Sequence, residues 1–144
     1  MKISTKGRYA LSFITELALD GGDKCIPLKN IAQRHHISEK YLEQIAASLN
    51  KAKLIKSVRG SQGGYKLVKS PCEYTVGEIL RSTEKTLAPV SCLEYEKNDC
   101  PYSNDCISLF VWEEIYKAVN DVVNAITVQD IIDRGKHQNK QQDV

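Results

Sequence analysis

Residues 26–68 contain two short amphipathic segments and then a glycine-rich hairpin, with no long break between them. That order restricts the folds open to the chain. The first segment, Ile26-Pro27-Leu28-Lys29-Asn30-Ile31-Ala32-Gln33-Arg34-His35, places Leu28, Ile31 and Ala32 on one face of a short helix. Its proline suits the first turn, where the missing N–H is not needed. Beyond Ile37, Ser38 is positioned to cap a second helix over residues 39–49. Leu42, Ile45, Ala46 and Leu49 form the buried stripe of that helix, and Glu39 suits its positive dipole end. Two short helices joined by a brief turn, the second polar on its outer face, fit a helix-turn-helix. Residues 54–58 and 65–68 then alternate apolar and polar about Arg59-Gly60-Ser61-Gln62-Gly63-Gly64, a hairpin signal. A hairpin directly after a helix-turn-helix is a wing.

Upstream, Tyr9, Phe13 and Leu17, and Ala10, Ile14 and Ala18, recur at a spacing of four. They predict an amphipathic helix from Ser4 or Thr5 to about Leu19, stopped at Asp20-Gly21-Gly22-Asp23. Downstream, residues 75–80 predict a short helix, and Ala88-Pro89 breaks the chain. Residues 107–126 predict a helix of about five turns that is apolar around most of its girth. Its polar residues, Glu113, Lys117, Asn120, Asp121 and Asn124, make one narrow stripe. Such a helix has to be covered on more than one side, and in so short a chain a second copy covers it most simply. Residues 127–132 predict a short capped helix that packs back. From Arg134 the sequence is polar and aperiodic, and a disordered tail is expected. The expected fold is mainly α with a small β-hairpin wing: a winged helix-turn-helix domain plus a long C-terminal dimerisation helix. The expected division is residues 1–81, a linker and cysteine loop over 82–106, the dimerisation and packing helices over 107–133, and the tail over 134–144.

Charge separates along the chain. Residues 1–70 hold 13 Lys/Arg against 5 Asp/Glu, or +8, and residues 71–144 hold 7 against 13, or −6. The basic half suggests a polyanion, and with the helix-turn-helix and wing it points to double-stranded DNA. In winged-helix geometry the start of the second helix enters the major groove. That sets Ser38, Glu39, Lys40, Tyr41, Glu43 and Gln44 near bases and phosphates. Gln44 can pair with adenine through two hydrogen bonds, whereas Lys40 suits a phosphate. Glu43 either accepts from a cytosine amino group or is a solvated residue pairing with Lys40. Arg59, Gly60 and Gln62 occupy the wing tip, where Arg59 can reach a minor groove or a phosphate and the glycines allow close backbone approach. Lys2 and Lys6 add backbone contacts. A two-fold dimer would read a pseudo-palindromic operator.

The sequence holds no phosphate-binding glycine loop, nucleophile elbow or metal-hydrolase motif, which argues against an enzyme. It has no apolar run of membrane-spanning length and no signal-peptide pattern, so a cytoplasmic location with reduced thiols is expected. Five cysteines, an odd number, argue against a closed disulfide framework. Three of them, Cys92, Cys100 and Cys106, are separated by seven and five residues within a segment whose Asn98, Pro101 and Asn104 mark a loop. This is neither a zinc-knuckle nor a ferredoxin spacing. An iron–sulfur cluster, a thiol or disulfide switch, and zinc all suit three thiols in such a loop. Cys25 and Cys72 read as small buried hydrophobes, and His35 and His36 as helix-end residues.

Met1-Lys2-Ile3-Ser4-Thr5-Lys6-Gly7-Arg8-Tyr9-Ala10, Leu28-Lys29-Asn30-Ile31-Ala32, Tyr41-Leu42-Glu43-Gln44, Val58-Arg59-Gly60, Gly63-Gly64-Tyr65 and Val76-Gly77-Glu78-Ile79-Leu80 resemble the IscR/NsrR/CymR superfamily of bacterial winged-helix regulators. The resemblance covers nearly the whole chain and is densest over residues 1–81. It implies a homodimer paired through the long C-terminal helix. The chain resembles the cluster-bearing, IscR-like branch most, and in that branch the resemblance also implies an iron–sulfur centre, of the 2Fe-2S kind, on Cys92, Cys100 and Cys106. The sequence departs from the cluster-bearing pattern in its cysteine gaps, which tend to be similar there and differ by two residues here, and at two ligand positions. Leu109 stands where the iron–sulfur assembly regulators carry a histidine, and Arg8 stands where the nitric-oxide sensors carry a carboxylate. Glu94, Glu96, Asp99, Asp105, Ser108, a residue from the second subunit, or a bound thiol or water is left as fourth ligand. The cysteine-metabolism branch implies an alternative: a cluster-free regulator that senses a partner protein or thiol oxidation.

Overall fold

The structure, a computed structural model, describes residues 1–142. Its elements in order are α1 (Thr5–Asp20), α2 (Leu28–His35), α3 (Glu39–Lys51), β1 (Ile55–Val58), β2 (Gly64–Leu67), α4 (Val76–Thr83), α5 (Leu109–Ala125) and α6 (Val128–Gln142). The expected mainly helical fold with a hairpin wing is present.

Helix starts follow the side-chain caps. Ser4 Oγ accepts the Gly7 N–H at 3.0 Å, Ser38 Oγ the Tyr41 N–H at 3.1 Å, and Thr75 Oγ1 the Glu78 N–H at 3.1 Å. Each satisfies a donor that the first helical turn leaves without a partner. Ala10, Phe13, Ile14 and Leu17 of α1 pack with Ile31 of α2 and with Leu42, Ile45 and Leu49 of α3. Burying a side chain of this size contributes about 1.5–3 kcal/mol. Tyr74 closes the core from below the wing. Its hydroxyl donates to the Leu54 carbonyl at 2.6 Å and accepts the Val68 N–H at 3.0 Å.

The wing pairs β1 with β2 antiparallel, Ile55 opposite Leu67 and Val58 opposite Gly64. A third backbone segment joins it. The Ile26 N–H donates to Tyr65 at 2.9 Å, and the Tyr65 N–H donates to Ile26 at 3.0 Å. Gly64 makes this possible: its φ is +156°, and a Cβ there would run into the Ile26 carbonyl.

α6 differs from the expected short helix. It begins with a reciprocal cap in which Thr127 Oγ1 accepts the Asp130 N–H at 3.2 Å and Asp130 Oδ2 accepts the Thr127 N–H at 2.8 Å. The Thr127 N–H, and after it the Thr127 hydroxyl, which donates to Asp130 Oδ2 at 3.0 Å, hold the Asp130 carboxyl below its ordinary range. Val128 and Ile132 are buried in the core. The helix continues past Arg134, where a disordered tail is expected, and reaches Gln142. The remainder of the expected tail, residues 143–144, lies outside the described residues. Beyond Ile132 this helix has no apolar stripe, so hydrophobic periodicity gives no sign of it. Its Lys and Gln residues are nonetheless good helix formers. α5 starts at Leu109 rather than Ile107, which is 93% exposed. Among the described residues no helix is long and apolar enough to cross a membrane.

Candidate nucleic-acid interface and cysteine loop

The Ser38 cap fixes the first turn of α3 and leaves its outer face in solvent. Ser38, Glu39, Lys40, Glu43 and Gln44 are exposed. Tyr41 is half-buried and stands edge-on to Tyr9 of α1, ring centroids 6.1 Å apart. Tyr9 in turn meets the His35 ring edge-on at 6.1 Å, and His35 Nε2 lies 3.5 Å from Glu16 Oε1. A row of three rings therefore sets the start of α3 against α1 and the end of α2. The sequence offers Tyr9 only as part of an apolar stripe. Arg34, next to His35, forms ion pairs with both Glu16 and Asp20 and so ties α2 to α1. His36 follows as a left-handed cap with φ +53°. Among the described residues Glu43 makes no ion pair, so the expected alternative of pairing with Lys40 is not realised.

At the wing tip Arg59, Gly60 and Gln62 are exposed. Gly60 has φ +122° and open space around it, so the tip presents bare backbone. Lys2 is exposed and Lys6 half-exposed at the start of α1. That start is held by a residue missed in the sequence. Glu84 Oε1 accepts the Ser4 N–H at 3.0 Å and the Ser4 hydroxyl at 2.5 Å. Glu84 follows α4 directly, so the chain leading to the cysteine loop begins against the first turn of α1.

All five cysteines are free thiols. Cys92 and Cys100 are half-buried and line one cavity of about 330 Å³ with Ser91, Tyr95, Lys97 and Asp99. Cys106 is not among the lining residues. It is exposed, its Sγ 3.6 Å from the Ser108 hydroxyl. Among the described residues no three Cys, His, Asp or Glu side chains gather as a metal-holding group. The donor chemistry suits an iron–sulfur cluster, since three thiols share one irregular loop. The arrangement supplies two of those thiols to one cavity and leaves the third apart. Cys25 is half-buried and Cys72 exposed, so neither is the fully buried hydrophobe expected.

A capped recognition helix, a wing fastened to the helix-turn-helix and an exposed polar face define a winged-helix DNA-binding transcriptional regulator. Comparison with known proteins narrows this class. Residues 3–134 match the family described as "Rrf2: Iron-dependent Transcriptional regulator". The HTH-type transcriptional regulator CymR of Bacillus subtilis is 42% identical over 131 residues, which cover 91% of this chain and 89% of that protein. The solved structure of CymR, described as the global cysteine regulator of B. subtilis, superposes with a TM-score of 0.74 at 39% identity, covering 91% of this chain and 95% of that one. The structure of T. potens IscR also superposes with a TM-score of 0.74, at 37% identity, covering 94% and 88%. The chain belongs to the Rrf2 family of transcriptional regulators.

Proposed function

We propose that this regulator binds a pseudo-palindromic operator as a homodimer and that the state of its cysteine loop modulates that binding. Residues 1–81 read DNA, residues 82–106 sense, and residues 107–133 pair two copies. The observation that carries the dimer is α5. None of its residues is buried in its own chain, and Phe110, Val111, Ile115 and Val122 are exposed. Leaving so many apolar side chains in water is unfavourable, and a second copy of the same face covers them.

In DNA recognition Gln44 and Glu43 select bases, and Ser38, Glu39 and Tyr41 position the helix start. Lys2, Lys6 and Lys40 hold phosphates, and Arg59, Gly60 and Gln62 engage DNA from the wing. For the loop, the leading state is an iron–sulfur cluster, of the 2Fe-2S kind, on Cys92, Cys100 and Cys106. Three free thiols in one loop and the likeness to an IscR support it. A cluster-free loop that responds to thiol oxidation or to a partner protein is the alternative. It is favoured by the separation of Cys106 from the Cys92–Cys100 cavity and by the likeness to CymR.

Selection from a pool of randomised duplexes, followed by affinity measurement over a range of salt, tests DNA reading. The selected sites are expected to carry two inverted half-sites. Lys40→Ala is expected to weaken all of them uniformly and to lower the salt slope by about 1. Selection that enriches no inverted sequence would contradict the proposal.

A further inference from the structure

α4 ends the reading domain, and α5 carries the exposed apolar face. Arg81, in the last turn of α4, spans the gap between them. One arm of its guanidinium donates to Asn124 Oδ1 at 2.8 Å and the other to Asn120 Oδ1 at 2.7 Å. The two amides lie four residues apart on α5, one helical turn, so the planar fork meets both at once. The helices approach closely because Gly77 faces the same contact. A Cβ there would sit 2.5 Å from both the Arg81 guanidinium and Asn124 Oδ1 and 3.1 Å from Val123. A backbone bond from the Val76 N–H to Ile126 at 2.9 Å anchors the far end of α5 to the start of α4. The joint is therefore pinned at the α5 terminus, and Arg81 restrains the swing of α5 about that pin.

We propose that Arg81, seated between Asn120 and Asn124, sets the separation of DNA half-sites that the dimer accepts. This rests on the homodimeric reading above. In a two-headed binder the second half-site is engaged at an effective concentration governed by the reach and stiffness of the connection. A stiff joint concentrates the second reading head at one separation. A loose joint spreads it over several separations and lowers the maximum. Arg81 is a positioning residue in this account. Its side-chain hydrogen bonds both go to α5, so recognition of a single half-site does not depend on them.

The test uses the full chain, a duplex with one half-site, and a series of two-half-site operators with the spacing lengthened or shortened by one and two base pairs. Arg81→Lys keeps the charge but not the fork, and Asn124→Ala removes the contact from the other helix. Wild type is expected to prefer its own spacing by about tenfold or more. Both variants are expected to flatten that preference to about twofold and to bind the single half-site as wild type does. Variants that keep the wild-type spacing preference would overturn the role of Arg81. So would an equal loss on the single half-site, which would mean that Arg81 acts on the reading domain itself. A wild-type protein that sediments as a monomer, or gains nothing from a second half-site, would instead overturn the dimeric reading, and the spacing role with it.

Discussion

Ser38 Oγ accepts the Tyr41 backbone N–H at 3.1 Å, so the residue that caps α3 is also one proposed to meet DNA. The two duties separate by substitution. Ser38→Ala is expected to cost about 1 kcal/mol of stability, the usual loss for an N-cap. Ser38→Asp keeps a capping oxygen and brings a negative charge to the phosphates. It is expected to restore the melting temperature while weakening every duplex. Thermal unfolding beside fluorescence anisotropy checks both.

Among the described residues Glu43 makes no ion pair, and it is exposed beside Gln44. In the proposed reading a carboxylate there discriminates rather than adds affinity. Glu43→Ala is expected to raise binding to poorly matched operators and compress the ranking across a panel, by about 1–3 kcal/mol at the base pair it faces. An unchanged ranking would remove Glu43 from the reading set.

Tyr74 is fully buried, and its hydroxyl serves both Leu54 and Val68. Tyr74→Phe leaves that carbonyl and that N–H without a partner, at an expected cost of about 1–3 kcal/mol. Burial, the largest influence, raises the Tyr74 ionisation above its ordinary value, with the Val68 bond opposing. The raised value means that the contribution is fully present below about pH 10, the ordinary tyrosine range. It is lost as pH rises through the folded-state value. Unfolding followed from neutral to strongly alkaline pH is expected to show this loss in wild type and a shallower one in Tyr74→Phe.

On α5, Val122 is 55% exposed and Ile115 is 39% exposed in the single chain. Replacing either with Glu puts a charge into the proposed apolar pairing face. Sedimentation is expected to show loss of the dimer at concentrations where wild type remains paired. Affinity for a single half-site is expected to be retained.

The parts of the fold visible in sequence are those set by local chemistry. Ser4 and Ser38 announce helix starts, the stripes of α1 and α3 announce the core, and Gly63-Gly64 announces the wing turn. The parts that were not visible depend on distant partners or on polar segments. Arg81 finds Asn124 43 residues away, and nothing in the spacing foretells it. Ile26 joins the wing through backbone alone. The second half of α6 is polar on every side, so it resembles a tail. The cysteine loop has no periodicity at all. Its three thiols are evident as residues, but which of them share a cavity is decided by tertiary packing.

Control of DNA binding by the cysteine loop is tested most directly on protein purified without oxygen. Iron, sulfide and operator affinity are measured on the same samples of wild type, Cys92→Ala and Cys106→Ala. Wild type is expected to carry iron and sulfide, both variants to lose them, and operator affinity to change by about tenfold or more with that loss, a coupling of about 1.4 kcal/mol. Protein without iron or sulfide, whose operator affinity is the same in all three forms and unmoved by thiol oxidation, would contradict a sensing role for Cys92, Cys100 and Cys106.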